Sequence, residues 1–156
     1  MKEIRGNIFD QKDANAICVT TNGVIKQNGE LVMGAGIALQ FANRCKNDKG
    51  SLAKNLGTLV TKNGNHVTDC IWILSSNLTQ GTQVVSFPTK EHWRDSSPLW
   101  LIERSAKELV ELADKRGWMK IVLPRPGCAH GGRDWETEVK PILEKYLDDR
   151  FYIITP

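Results

Sequence analysis

The sequence predicts an α/β fold in which a β-sheet is sandwiched between helices, and three features carry that expectation. Short β-branched apolar runs recur along the chain, helical apolar spacing fills the stretches between them, and glycine-rich segments stand where a run gives way to a helix. At 156 residues the chain has the length of one ordinary domain, so residues 1–156 are read as a single unit. Hydrophobic residues make up 40% and charged residues 25%, enough apolar material to bury a core. In such a sheet, ligands are expected beyond the carboxyl ends of the strands.

In chain order, Lys2 to Arg5 is a weak edge-strand candidate, and Asn15 to Thr21 reads as a buried strand running into a turn at Asn22-Gly23. Helices are expected from Ile37 to Arg44 and from Ser51 to Asn55. The stretch from Gly57 to His66 contains Asn63-Gly64, a strong hairpin signal, which predicts Leu59 and Val67 on paired strands. Further strands are expected at His66 to Leu74, Gln83 to Phe87, Lys120 to Leu123 and Phe151 to Ile154. Ser97-Pro98 reads as a capping hydroxyl followed by proline in the first helical position. The apolar stripe Leu99, Ile102, Ala106, Leu109 and Ala113 follows, and Gly117 closes the helix. A last helix is expected from Asp134 to Leu147, capped by Asp134, with Pro141 kinking it or marking its true start.

Composition narrows the function. The formal charge of +3 is too mild to announce a nucleic-acid binder, so any contact with a polyanion must be local. No apolar run approaches the roughly 20 residues of a bilayer span, and the segment from Met1 to Asn7 lacks the apolar core of a signal peptide. The expectation is a cytoplasmic chain without membrane contact. Cys18, Cys45, Cys70 and Cys128 lie far apart, which argues against a zinc ribbon or a redox pair and suits small core residues in a reducing compartment. His66, His92 and His130 are too scattered to form a metal set, so no metal and no cofactor are expected. Trp72, Trp100 and Trp118 read as core or helix-packing residues, whereas Trp93 and Trp135 stand beside candidate loops and can stack on a base or wall off a pocket.

Three segments carry chemistry. Met33-Gly34-Ala35-Gly36-Ile37-Ala38 places a glycine pair at a helix entrance, where backbone N–H groups and the helix dipole favour an anion such as a diphosphate. Its spacing matches neither the P-loop nor the dinucleotide fingerprint. Pro124 to Asp134 is a second glycine-rich passage from strand to helix, and two such loops at one sheet edge can clamp a ligand from both sides. Phe87-Pro88-Thr89-Lys90-Glu91-His92-Trp93-Arg94 leaves a strand end with a lysine that can act as a nucleophile on an aldehyde-like carbon.

Taken together, these segments resemble a macrodomain, the ADP-ribose-binding three-layer α/β/α fold with a mixed central sheet. The match runs in order from Gly6-Asn7-Ile8-Phe9 through Asn22, Met33 to Ala38, Phe87 to Lys90 and Pro126-Gly127-Cys128 to Asp134-Trp135. Within that superfamily the chain is similar to the branch containing the terminal ADP-ribose protein glycohydrolase and the DarG antitoxin, which acts on ADP-ribosylated thymidine in DNA. The resemblance implies a monomer whose partner is ADP-ribose or an ADP-ribosylated substrate, with ADP-ribosylated DNA in view.

The resemblance also distributes roles. Asn7 and Ile8 fall to adenine, Asn22 to the distal ribose, and Gly34, Ala35, Gly36 and Ile37 to the diphosphate, with Met33 a further ADP-ribose contact. Thr89 is expected to contact ADP-ribose beside Lys90, the catalytic residue whose amine attacks the anomeric carbon of the distal ribose. Gly127, Cys128, Ala129, His130, Gly131 and Gly132 are expected to close on the diphosphate and distal ribose from the other side, with Pro126, Asp134 and Trp135 further ADP-ribose contacts, the last two at the next helix entrance. Arg94, Arg125 and Arg133 near the rim can meet nucleic-acid phosphates and Trp93 a base. Gly131 stands where the protein-directed glycohydrolase carries a catalytic aspartate, which points to the DNA-directed antitoxin. Two alternatives remain at this level: a phosphatase acting on ADP-ribose 1''-phosphate, with His130 or the Gly34 to Ile37 backbone in the larger role, and a non-catalytic ADP-ribose reader.

Overall fold

The computed structural model describes residues 1–48, 50–73 and 81–156, with residues 71–73 described by their backbone only. Among the described residues eight strands and four α-helices follow in the order β1 (Lys2–Arg5), β2 (Ala16–Thr21), α1 (Gly36–Arg44), β3 (Lys46–Asn47), β4 (Gly50–Ser51), α2 (Leu52–Asn63), β5 (Thr68–Ile73), β6 (Gln83–Pro88), α3 (Leu99–Arg116), β7 (Ile121–Pro124), α4 (Lys140–Leu143) and β8 (Phe151–Thr155). Six strands form a mixed sheet in the order β1-β8-β7-β2-β6-β5; β5 is antiparallel to β6 and every other pair is parallel. β3 and β4 form a separate two-residue ladder.

Strand β2 shows how the layers arise. Its alternate residues Ile17 and Val19 pack with Phe9, Phe41, Leu52 and Leu56 on one face, under α1 and α2. Ala16 and Cys18 point the other way, into a cluster with Ile102, Ala106, Leu109, Trp118, Trp135 and Val139 under α3 and α4. Both faces being covered is what a near-continuous apolar strand requires. The result is the expected three-layer arrangement of helices on both sides of a mixed sheet.

Four expectations need correction. The hairpin over Gly57 to His66 does not form: Ser51 Oγ accepts the Lys54 N–H at 3.1 Å, and the helix it starts runs to Asn63, well past Asn55. Leu52, Leu56, Leu59 and Val60 recur at helical spacing, and Gly64, at φ 86°, ends the helix by donating its N–H to Val60 O, so Asn63-Gly64 is a helix stop rather than a hairpin turn. Ser97 is not a cap; Pro98 takes that position, while Ser97 is buried, donates its N–H to Gly131 O at 2.9 Å and accepts at its carbonyl from Arg133 Nε at 2.6 Å. Trp100 is 55% exposed with Arg104 over its ring, and so is no core residue.

The last helix opens as a wide turn over Trp135–Val139, in which Val139 N–H reaches back to Asp134 O, before the short α4 with Pro141 near its start. Asp134 caps this turn as expected. Cys18, Cys45 and Cys70 are buried but Cys128 only half so. The expected end of β5 at Leu74 and the setting of the Trp72 ring lie outside the described residues. Among the described residues no helix is long and apolar enough to cross a membrane.

Candidate active site

The carboxyl ends of β2, β6 and β7 and the start of α1 enclose a cleft of about 740 Å³. Twelve of the expected site residues line it: Asn22, Met33, Gly34, Ala35, Gly36, Ile37, Thr89, Lys90, Gly127, Ala129, His130 and Gly131. Its charged lining residues among those described are Lys90, Arg94 and Arg125, with no carboxylate. Such a surface suits an anionic ligand.

One wall is built around Asn22. Its Nδ2 donates to Val32 O and its Oδ1 accepts the Val24 N–H, both at 2.9 Å, so the amide shapes the loop that carries Met33 and Gly34 to the cleft. Ala35 precedes α1 without a side-chain cap, and the first turn of α1 holds no acidic residue. The first-turn N–H groups therefore remain available for a bound anion.

Lys90 stands between the walls. Its backbone continues the pairing of β6 with β2, with Thr89 N–H donating to Thr21 O at 2.9 Å. Its Nζ donates to Trp93 O at 3.0 Å and to His130 O at 2.9 Å. Two carbonyls thus fix two of the three outward directions of the nitrogen, and the third is free for a ligand. His130 also spans the cleft, because a Cβ placed on Gly36 would lie 3.2 Å from its ring carbon Cδ2.

The opposite wall is packed on α3. Arg133 N–H donates to Gly127 O at 2.9 Å, and its guanidinium is spent on Ser97 O and, at 3.2 Å, on Glu138 Oε2; it braces the loop rather than standing at the rim. Asp134 accepts both the Thr137 hydroxyl at 2.7 Å and the Thr137 N–H at 2.8 Å, which hold its carboxyl below the usual carboxylate range. Burial pushes the Cys128 thiol up to about 11, and its Sγ–H faces Pro126 O. Asn7, Ile8, Pro126, Cys128, Gly132, Asp134 and Trp135 do not line the cleft. Asn7 Oδ1 caps the turn at Ile8–Asp10 by accepting Phe9 N–H, and Ile8 is buried in the core beneath.

Trp135 is 5% exposed and acts one step removed from the cleft. Its Nε1 donates to Glu3 Oε1 at 3.0 Å, and Arg125 lies over its ring at 5.0 Å while reaching the same carboxylate oxygen at 3.5 Å. The Lys140 ammonium, 2.8 Å from Glu3 Oε2, keeps that carboxyl below the usual range. Arg125 is therefore a clamped cation of the cleft. Thr20, Thr21, Val32, Ala38 and Pro124 also line it; they flank motifs already visible in the sequence but bear no chemical signal of their own. No group of His, Cys, Asp and Glu among the described residues is arranged to hold a metal ion.

Comparison with known proteins resolves the family. The Macro domain family model matches residues 24–142. This chain belongs to the macrodomain family. It is 30% identical over 128 residues, 80% of its length, to the DNA ADP-ribosyl glycohydrolase of Mycobacterium tuberculosis, covering 35% of that protein. It is 29% identical over 149 residues, 95% of its length, to the enzyme of the same name from Thermus aquaticus, covering 38% of it. The chain thus spans little more than a third of these curated relatives. The solved macrodomain of Mycobacterium tuberculosis DarG superposes with a TM-score of 0.71 at 27% identity, covering 99% of this macrodomain and 96% of that one. The Thermosipho africanus DarTG structure in complex with ADP-ribose shares the fold, with a TM-score of 0.73 at 22% identity over 99% of this chain and 42% of that one.

Proposed function

We propose that this macrodomain binds ADP-ribose in the cleft and hydrolyses its bond to a nucleic acid, thymidine in DNA first, with Lys90 as the nucleophile. The observation that carries the reading is the Lys90 amine, held by Trp93 O and His130 O with its third direction open to a cationic cleft. The relatives named for DNA ADP-ribosyl hydrolysis support the substrate class. In this reading the N–H groups at the start of α1 and the Arg125 cation take the diphosphate. Trp93 lines the cleft, and its half-exposed ring offers a stacking face to a base.

The neutral amine keeps its two N–H bonds to the carbonyls and presents its lone pair along the third direction. That pair bonds to the anomeric carbon of the distal ribose, the bond to the base breaks, and the base leaves with the electron pair and takes up a proton. Opening of the ribose gives a Schiff base. Water adds to its carbon, the amine departs, and free ADP-ribose and Lys90 are restored.

The aspartate that a protein-directed glycohydrolase would need at 131 has no room here. A Cβ on Gly131 would sit 2.5 Å from Gly127 O and in collision with Ser97 Oγ. A lysine route without that carboxylate, and a nucleobase leaving group in place of a protein carboxylate, are consistent with this packing. Three of the four cysteines are buried, which fits a role in a reducing cytoplasm.

The test is release of free ADP-ribose from an oligonucleotide carrying ADP-ribosylated thymidine, run beside Lys90→Ala and beside ADP-ribose 1''-phosphate as a second substrate. Release by the parent, lost in Lys90→Ala while ADP-ribose binding persists, is the expected result. Phosphate release that survives in Lys90→Ala, or binding without any turnover by the parent, overturns the glycohydrolase.

A further inference from the structure

Asn65 lies outside the cleft lining, on the loop between α2 and β5, yet it touches the backbone of the candidate nucleophile. Its Nδ2 donates to Lys90 O at 2.9 Å. We infer that Asn65 is a positioning residue for Lys90, acting by fixing the peptide plane that follows it. This rests on the reading of Lys90 as nucleophile.

The peptide bonds around Lys90 are held from two sides. On the β2 side, Thr89 and Lys90 N–H share Thr21 O, and Glu91 O accepts the Gly23 N–H at 3.0 Å. Those bonds join backbone to backbone, and many sequences can make them. On the other side, the Asn65 amide is the side chain that reaches Lys90 O among the described residues. Its removal frees rotation about the Lys90 backbone, and a small turn there is magnified along the four-carbon stem before it reaches Nζ. Displacement of an attacking atom by about 1 Å can cost roughly 100-fold in rate.

Asn65 is itself immobilised. Its main-chain carbonyl accepts from Arg104 Nη2, and Arg104 pairs with Glu108 on the same face of α3 at 3.9 Å. Glu108 also accepts the Val67 N–H at 3.1 Å and contacts His66 Nδ1 at 2.7 Å, so both residues that follow Asn65 are tied to α3. From the cleft side Gly23 closes the gap: a Cβ there would fall 3.1 Å from Asn65 Nδ2 and 3.1 Å from Glu91 O. The donor is thus pressed between α3 and the Asn22-Gly23 turn, aimed at one acceptor.

Asn65→Asp keeps the shape and deletes the donor, and Asn65→Ala deletes the side chain. Both are to be compared with the parent in single-turnover release of ADP-ribose, in affinity for free ADP-ribose, and in capture of Lys90 by the open-chain aldehyde of ADP-ribose. In the capture, amine and aldehyde condense with loss of water, cyanoborohydride reduces the imine, and peptide mass mapping reads the modified lysine. The expected result is an ADP-ribose Kd within about twofold of the parent, with turnover and Lys90 capture both reduced by about 10- to 100-fold in each variant. Equal capture and equal turnover in parent and Asn65→Asp overturn the role of Asn65 alone. Failure of the parent itself to be captured at Lys90 removes the nucleophile and this inference with it. A drop in affinity equal to the drop in turnover marks Asn65 as a general structural support and also overturns the inference.

Discussion

A methyl group added at Gly34 would meet nothing within 4 Å, whereas one added at Gly131 would sit 2.5 Å from Gly127 O and against the Ser97 hydroxyl. The two glycine-rich walls of the cleft therefore need glycine for different reasons. At the α1 entrance the missing side chain leaves an open approach to backbone N–H groups, a use that belongs to the proposed ligand and not to the packing. In the loop after β7 it lets two backbone segments and the start of α3 close on one another, which is a requirement set by packing. Gly127 repeats the second case: at φ 75°, its Cβ would lie 2.7 Å from Ile102 Cδ1. Composition alone cannot separate these uses, since both walls read as glycine-rich turns.

This contrast can be broken or sharpened by substitution. The largest effect is expected for Gly131→Ala, which overpacks a buried site and should cost about 3 kcal/mol, with a fall in Tm of roughly 10 °C in a chain of this size, read by thermal unfolding. Gly36→Ala should be intermediate: φ there is 56°, and the His130 ring stands close, so a loss of about 1–2 kcal/mol is expected. Gly34→Ala should leave stability within about 0.5 kcal/mol yet weaken ADP-ribose by roughly tenfold in calorimetry, because the methyl occupies the ligand's approach. Gly34→Ala unfolding as readily as Gly131→Ala would erase the distinction.

The smallest expected effect concerns pH. The Asp134 carboxyl is held below its ordinary range by Thr137 in the folded chain, so the capping contribution is present above the unfolded carboxylate pKa and is lost as pH falls through the lower folded value. Thermal unfolding between about pH 5 and pH 2 should show Asp134→Asn losing part of the parent's acid sensitivity while the wall built on α1 is unaffected.

The sheet and α3 were legible in the sequence because their signals are local and unopposed: β-branched runs for β2, β6, β7 and β8, and one apolar stripe for α3. The segment after Ser51 was misread because Asn63-Gly64 serves a hairpin turn and a helix stop equally well, and the apolar residues before it fit either until helix α2 finds its partners in Phe41 and Ile17. Motif residues lining the cleft were legible as far as their backbone makes the site. Arg133 and Trp135 were not, because their side chains are claimed by Ser97 and Glu3, partners that only the tertiary structure brings near, while Asp134 is spent on the expected cap, on Thr137 three residues along the chain. Asn65 left no trace at all: its acceptor lies 25 residues downstream.

One feature of the sheet bears on how the site comes into being. Among the described residues β1 pairs only with β8, and β7, from which the packed wall hangs, has β8 as one of its two neighbours. The α1 wall and Lys90 stand on β2 and β6, whose pairing is complete without either end of the chain. During synthesis from the N-terminus, the wall made by α1 and the lysine can take shape while β1 still waits for a partner some 150 residues behind it in the chain. A chain halted before Phe151 should therefore expose half a cleft, and the capacity to hold ADP-ribose should emerge in one late step as β8 slides between β1 and β7.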